Sequence, residues 1–184
     1  MGKDKSKIGG EISKMTDVTV IDSFLDKSDL EDLKGIVLSD YFPWYLNDGV
    51  SFPGDGEIQF THTTFKDGDW CSSYTLGGLD ILKEKLKFET IVRAKFNLIQ
   101  RTPYLVEHDL HIDVEDTKNT KTAILYLNTN DGYTRFENGK KFQSVENRLL
   151  LFDADMKHGG TSCTNKRYRA VFNLNFKSKD NENN

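Results

Sequence analysis

Thr122-Ala123-Ile124-Leu125-Tyr126-Leu127-Asn128, followed by Asn130-Asp131-Gly132, Tyr133-Thr134-Arg135-Phe136 and Asn138-Gly139, is the stretch on which the fold turns. The first segment is a mostly apolar strand that stops on turn residues. Asn138-Gly139 between Tyr133–Phe136 and Lys141–Ser144 is a hairpin signal, because a tight turn needs residues that tolerate positive φ. Leu149 to Phe152 is an unbroken apolar run and reads as a strand buried on both faces. Two longer segments alternate with period two. In Ile91 to Gln100, Ile91, Arg93, Lys95 and Asn97 share one face, against Val92, Ala94, Phe96 and Leu98. In Arg167 to Phe176, Arg167, Arg169, Val171, Asn173 and Asn175 oppose Tyr168, Ala170, Phe172, Leu174 and Phe176.

Helical signals lie upstream of these strands. Ser28-Asp29-Leu30-Glu31 reads as a capping box with Ser28 as N-cap. Leu30, Leu33, Ile36 and Val37 then recur at helical spacing. An aromatic cluster broken by proline follows (Tyr41-Phe42-Pro43-Trp44-Tyr45), then turns at 47–49 and 53–56. A second helix is expected from Leu79 to Leu86, entered through Gly77-Gly78. Helices followed by a run of short strands predict an α+β, mainly β fold. The strands are expected to close into a double-stranded β-helix, or jelly roll, with two or three supporting N-terminal helices.

The chain has 184 residues, room for one domain. That domain is expected over 18–176, between a disordered tail at 1–17 and another at 177–184, both poor in apolar residues. Met1 to Ser6 matches a myristoylation pattern on Gly2, but reads here as a charged tail. No apolar run is long enough to span a bilayer, so no membrane partner is expected. The formal net charge of −4 argues against nonspecific nucleic-acid binding. Two cysteines, Cys71 and Cys163, are too few for a disulfide framework and read as free thiols in a cytoplasmic setting. The oligomeric state is not legible.

Chemistry concentrates in His111-Ile112-Asp113, in His158 and in Arg169. Two histidines and one carboxylate form a facial triad that leaves positions open on a six-coordinate metal, an arrangement suited to non-haem Fe(II). The i, i+2 spacing puts His111 and Asp113 on one side of an extended segment, and His158 follows the buried strand 149–152. Alone, the pattern also fits two surface histidines and an unrelated aspartate. Arg167 and Arg169 tip the balance. A cation on the inward face of a small barrel is costly unless paired, and a bidentate carboxylate resolves the cost. With Fe(II), Asp113 and one arginine, a bound 2-oxo dicarboxylate brings the site to neutrality. An internal Asp or Glu is the other candidate partner.

The ordered set Thr122–Asn128, Asp131–Phe136, Asn147–Phe152, His158-Gly159-Gly160-Thr161-Ser162 and Arg169–Phe176 resembles the core of the 2-oxoglutarate/Fe(II)-dependent oxygenases. The resemblance is to the prolyl 4-hydroxylase-like branch, including small bacteriophage-encoded members. Phe42-Pro43-Trp44-Tyr45 and Arg93–Asn97 are also similar to the phage type. It covers residues 90 to 176 well and 28 to 90 loosely. It implies iron ligation by His111, Asp113 and His158, and a hold on the distal carboxylate of 2-oxoglutarate by Arg169, with Arg167 as the competing choice. Tyr126 stands where a tyrosine often reaches the cosubstrate, or else packs the core from its strand, and Asn97 faces the same pocket. Collagen-type prolyl hydroxylases carry a lysine where Arg169 stands. The implied reaction consumes O2 and 2-oxoglutarate, releases succinate and CO2, and hydroxylates an unactivated C–H bond, with ascorbate admitted as an accessory. The implied substrate is a prolyl or other residue of a protein or peptide, or a small molecule. For a phage-encoded chain the compartment is the host cytoplasm.

Other residues are read more plainly. His108 reads as a solvated strand-end histidine, His62 as a surface strand histidine, and Cys163 as a bystander thiol. Trp44 and Tyr45 either cap the pocket mouth or pack the helix-to-sheet junction. Residues 117–121 form a lid or a plain connecting loop. Two other functions stay open: a cupin-type or zinc jelly roll that makes no use of 2-oxoglutarate, and a non-catalytic binding module. No His-Glu-x-x-His helix is present for zinc protease chemistry.

Overall fold

Period-two alternation makes each central strand two-faced, and two-faced strands need a layer on either side. The computed structural model describes residues 12–15, 17–74 and 76–178. In chain order these form β1 (Ile12–Met15), β2 (Val18–Ile21), α1 (Lys27–Val37), β3 (Tyr45–Asp48), β4 (Ile58–Lys66), β5 (Asp69–Trp70) and α2 (Leu76–Leu86). Then follow β6 (Phe88–Gln100), β7 (Thr120–Tyr126), β8 (Tyr133–Phe136), β9 (Lys141–Gln143), β10 (Leu149–Asp153), β11 (His158–Gly160) and β12 (Tyr168–Ser178). The large sheet runs β1-β2-β10-β7-β12-β6-β4-β3, with β5 hanging on β4. The small sheet runs β11-β8-β9. All pairings are antiparallel, and the architecture is the expected mainly-β jelly roll with two helices among the described residues.

The two layers follow directly from the alternation. Ala94 and Phe96 of β6, Ala123 and Leu125 of β7, and Ala170, Phe172, Leu174 and Phe176 of β12 join one apolar cluster. That cluster also takes in Leu30, Leu33 and Val37 of α1 and Leu79 and Leu82 of α2, so the helices cover this face. The opposite face supplies Ile124, Tyr126, Leu150, Phe152 and Val171, packed against Phe136 and Phe142 of the small sheet. Arg169, Asn173 and Asn175 lie on that second face and are also buried. The polar side of β12 therefore looks into the space between the two sheets, not out to solvent.

Several boundaries differ from the sequence reading. Helix α1 starts at Lys27 with Asp26 as N-cap and no side-chain cap bond. Ser28 is thus already inside the first turn and cannot serve as the cap. Ile36 is exposed while Leu30, Leu33 and Val37 are buried. Structure extends past 18–176 at both ends. β1 pairs with β2 through main-chain contacts that need no apolar side chains, and Lys177 and Ser178 prolong β12 against β6 and β7. The Gly2 pattern and the remaining tail residues lie outside the described residues. No described helix is long and apolar enough to cross a membrane. The expected turn at Asn138-Gly139 connects β8 to β9, with Gly139 at φ 82, a backbone that glycine adopts without steric cost.

Candidate active site

His111 and His158 exchange two main-chain hydrogen bonds: His111 N–H to the His158 carbonyl at 2.9 Å, and the reverse at 3.0 Å. This bridge lays the segment before Asp113 along β11 and brings the two imidazole centroids to 5.2 Å. Close approach here requires Gly159. A Cβ at that position would meet the carbonyl oxygens of His108 and Asp109 at 2.8 Å each. Two residues on, the Asp113 carboxylate reaches back to both rings, with His158 Nε2 at 3.3 Å and His111 Nε2 at 3.8 Å. The three ligand atoms lie within 4.8 Å of one another, a spacing that suits one metal ion. His158 and the Asp113 side chain are buried, and His111 is partly open.

A second set of side chains aims that carboxylate. Arg93 Nη2 donates to Asp113 Oδ1 at 2.6 Å, and Asn173 Nδ2 donates to Oδ2 at 2.9 Å. Asn175 adds a longer contact at 3.4 Å. Burial pushes the Asp113 carboxyl up, but His158, Arg93 and His111 together outweigh it and hold it well below the usual carboxylate range. His158 is raised, because Asp113 outweighs the burial that opposes its charge. His111 is lowered, chiefly by burial.

Arg169 closes the other end of the pocket. Its side chain is buried, its Nε donates to Ser144 Oγ at 2.8 Å, and its Nη2 donates to Thr134 Oγ1 at 3.0 Å. No carboxylate of the described residues lies within ion-pair distance of it. Arg169, Thr134, Asn97, Lys95, Asn173 and the three candidate ligands line one pocket. The donor chemistry fits a facial triad with open positions, and the unpaired guanidinium fits a carboxylate. These residues therefore suit Fe(II) together with a dicarboxylate cosubstrate.

The other expected site residues are placed as follows. Arg167 is exposed and does not line the pocket. Asn97 does, and its Oδ1 is buried without a partner. Tyr126 is fully buried and is not a pocket-lining residue; its hydroxyl contacts Thr134 Oγ1 at 2.7 Å, with its ring beneath the Arg169 guanidinium. It thus supports Thr134 and Arg169 from behind. His108 is buried, in contrast to the solvated residue expected, because its main chain is bonded into the 107–111 bridge: its N–H to Gly160, its carbonyl to Arg135. Burial, then the neighbouring Arg169, lower its imidazole to about 4. His62 is likewise buried and not on the surface. β4 turns it into the helix-side core, where its Nδ1 meets the Pro43 carbonyl at 2.8 Å and its ring meets Phe42. Trp44 packs on the helix-side core, and neither it nor Tyr45 lines the pocket. The 117–121 segment is tied down by Lys177 and by the Thr120 hydroxyl, and it too stands outside the lining. Cys163 is buried and free.

Sequence reasoning missed Thr134, Ser144, Val50 and Gln59. Nothing local marks the last two: Gln59 is carried there by β4, and Val50, in the loop between β3 and β4, is held by the Gln59 amide on its carbonyl and by Asp55 on its N–H. The roles of Asn173 and Asn175 had a signal: polar residues at every second position of a strand whose other face is wholly apolar.

Gly132 places the turn against Arg169. A Cβ there would meet the Ser162 carbonyl oxygen at 2.5 Å, Asn130 Oδ1 at 2.8 Å and Arg169 Cδ at 2.9 Å. Gly132→Ala is expected to cost about 2 kcal/mol of stability, as overpacking does. It should also weaken dicarboxylate binding at least tenfold by shifting Arg169, about 1.4 kcal/mol. Urea unfolding and a 2-oxoglutarate titration of the metal-loaded protein check the two effects. Unchanged binding would mean that Arg169 tolerates the crowding.

No family model and no curated protein matches the chain. Solved structures do. An oxidoreductase of the 2OG-Fe(II) oxygenase family from Burkholderia pseudomallei aligns with TM-score 0.63 at 10% identity, covering 86% of this chain and 84% of that one. A prolyl-4-hydroxylase from Pseudomonas putida aligns with TM-score 0.57 at 16% identity, covering 88% and 94%. A prolyl hydroxylase from Trichoplax adhaerens, in complex with a hypoxia inducible factor oxygen degradation domain peptide fragment, gives 0.60 at 17%, covering 89% and 84%. At these identities the likeness establishes a shared fold.

Proposed function

We propose that the protein is an Fe(II)- and 2-oxoglutarate-dependent dioxygenase that hydroxylates an unactivated C–H bond. One observation carries this reading. A buried arginine with no carboxylate partner opens into the same pocket as a His-Asp-His cluster. A cupin-type or hydrolytic metal site has no use for that cation, whereas a dicarboxylate cosubstrate neutralises it.

His111, Asp113 and His158 would hold the metal, and Arg169 with Thr134 and Ser144 would hold the distal carboxylate. When bound, Fe(II) with 2-oxoglutarate supplies the O2-dependent hydroxylating chemistry, with release of succinate and CO2. The chain's own contribution is positional. Arg93 and Asn173 fix the Asp113 carboxylate, the main-chain bridge fixes both imidazoles, and Tyr126 backs the Thr134–Arg169 pair. The substrate class we assign is a prolyl or other residue of a protein or peptide, supported by the shared fold with prolyl hydroxylases.

An anaerobic titration of metal-free protein with Fe(II), then 2-oxoglutarate, tests the reading. A visible metal-to-ligand charge-transfer band is expected after the second addition. Metal binding without the band favours the cupin-type or zinc alternative, and no metal binding favours a non-catalytic module.

A further inference from the structure

Arg169 is not the only cation in the pocket. Lys95 lines it as well, and among the described residues no hydrogen bond or ion pair reaches its ammonium. Its place in the fold is fixed. In the β6–β12 register, Lys95 stands opposite Asn173, and Ile99 stands opposite Arg169. The two cations thus leave their strands four residues apart along β6, roughly 13 Å at 3.3 Å per residue. Arg169 serves one end of the pocket, and Lys95 serves the end where Asn173 bonds Asp113.

The charges at that end do not balance. Asp113 is the one pocket-lining carboxylate among the described residues, and Arg93 is already bonded to it. A metal also draws on Asp113, and a dicarboxylate balances the metal, Asp113 and Arg169. Arg93 and Lys95 are then both left without a counter-charge, and of the two only Lys95 lines the pocket. An unpaired cation in a semi-enclosed polar pocket costs stability, so it implies a ligand that supplies the missing anion. The neighbouring acceptors point the same way: Asn97 Oδ1 and Asn173 Oδ1 are both buried without partners, and the Asn173 amide is oriented by its bond to Asp113. The end of the pocket nearest the metal therefore offers one cation and two acceptors to a ligand that carries an anion and N–H or O–H donors.

We propose that Lys95 is a specificity-determining residue that selects, within the protein or peptide class proposed above, a residue whose carboxylate or phosphate group lies close to the C–H bond that reacts, in preference to a prolyl ring. This rests on the oxygenase reading given above. The other source of an anion at this end is the cosubstrate's own metal-proximal carboxylate, and the test separates the two.

Protein saturated with Co(II) and 2-oxoglutarate is titrated with methyl phosphate and watched by 31P NMR, in which the paramagnetic ion broadens any phosphate held nearby. Trimethyl phosphate is the uncharged control. Wild type is compared with Lys95→Met and Lys95→Arg. Methyl phosphate, and not the control, should broaden in wild type. Lys95→Met should weaken the effect at least tenfold, and Lys95→Arg should stay within about threefold, as loss and retention of a charge-assisted contact require. The 2-oxoglutarate affinity of Lys95→Met should stay within about twofold of wild type, and its melting temperature should equal or exceed it, since an unpaired cation has been removed. A tenfold loss of 2-oxoglutarate affinity in Lys95→Met overturns the proposal and assigns the cation to the cosubstrate. Broadening that persists in Lys95→Met, or none in wild type, overturns it by showing no anion site at this residue. Failure of wild type to bind 2-oxoglutarate is seen before any phosphate is added, and removes the oxygenase reading and this proposal together.

Discussion

Arg169→Ala should weaken 2-oxoglutarate binding by roughly 100-fold to several thousand-fold, while Arg167→Ala leaves it within about twofold. The magnitude follows from burial. Removing one partner of a buried ion pair costs about 3–5 kcal/mol, because the remaining charge is left without compensation. Arg169 is buried and held by Ser144 and Thr134, so no nearby side chain of the described pocket replaces it. Arg167 sits two residues away, just before β12 begins, and reaches solvent. Metal binding should survive in both variants, since neither arginine touches the His-Asp-His cluster. Arg169→Ala should also change stability little, because the free protein loses an unpaired buried cation together with two hydrogen bonds. The charge-transfer band measured against 2-oxoglutarate concentration reads the affinity, and urea unfolding reads the stability. Equal, small effects of the two substitutions would remove Arg169 from the cosubstrate site.

That contrast marks what the sequence can and cannot resolve. Alternation along β6 and β12 put Arg93, Lys95 and Asn97 on one shared face, and Arg169, Asn173 and Asn175 on another. In the structure both faces border one pocket. Choosing between Arg167 and Arg169 was beyond it, because period two places both on the same face and says nothing of where the sheet ends. Burial of the two extra histidines was equally hidden. His62 reads as one polar residue in a threonine-rich strand, and its burial depends on the Pro43 carbonyl and the Phe42, Tyr45 and Tyr74 rings gathering around it from outside β4. His108 is buried because its backbone pairs with Gly160, a contact between segments about fifty residues apart. Strand pairing itself explains the missed edge. β1 joins the sheet through main-chain bonds, which composition does not report. Thr134 and Ser144 are ordinary hairpin residues in the sequence, and they become polar partners of Arg169 only once the small sheet folds over the large one.

Asp113→Ala is expected to have two separable consequences, and their separation tests the metal assignment. The first concerns the free protein. Asp113 gathers Arg93, Asn173 and His158 around one carboxylate. Its loss leaves the Arg93 cation partly buried and without a carboxylate, and strands an amide donor, so stability should fall by about 3 kcal/mol. The second concerns the metal. A ligand that binds only the folded state stabilises it by RT ln(1 + [L]/Kd), about 2.7 kcal/mol at a hundred times Kd. Wild type should therefore gain stability steadily as Co(II) is added, and Asp113→Ala should gain none over the same range. Asp113→Asn refines the comparison. It keeps the side-chain shape and an oxygen for Arg93, so its loss in the free protein should be smaller, yet it lacks the anionic ligand and should respond to metal as poorly as alanine. Urea unfolding at fixed Co(II) concentrations reads both terms for all three proteins. An equal gain with metal in wild type and both variants would mean that the ion binds elsewhere, and the His111–Asp113–His158 cluster would then be a structural ion pair rather than a metal site.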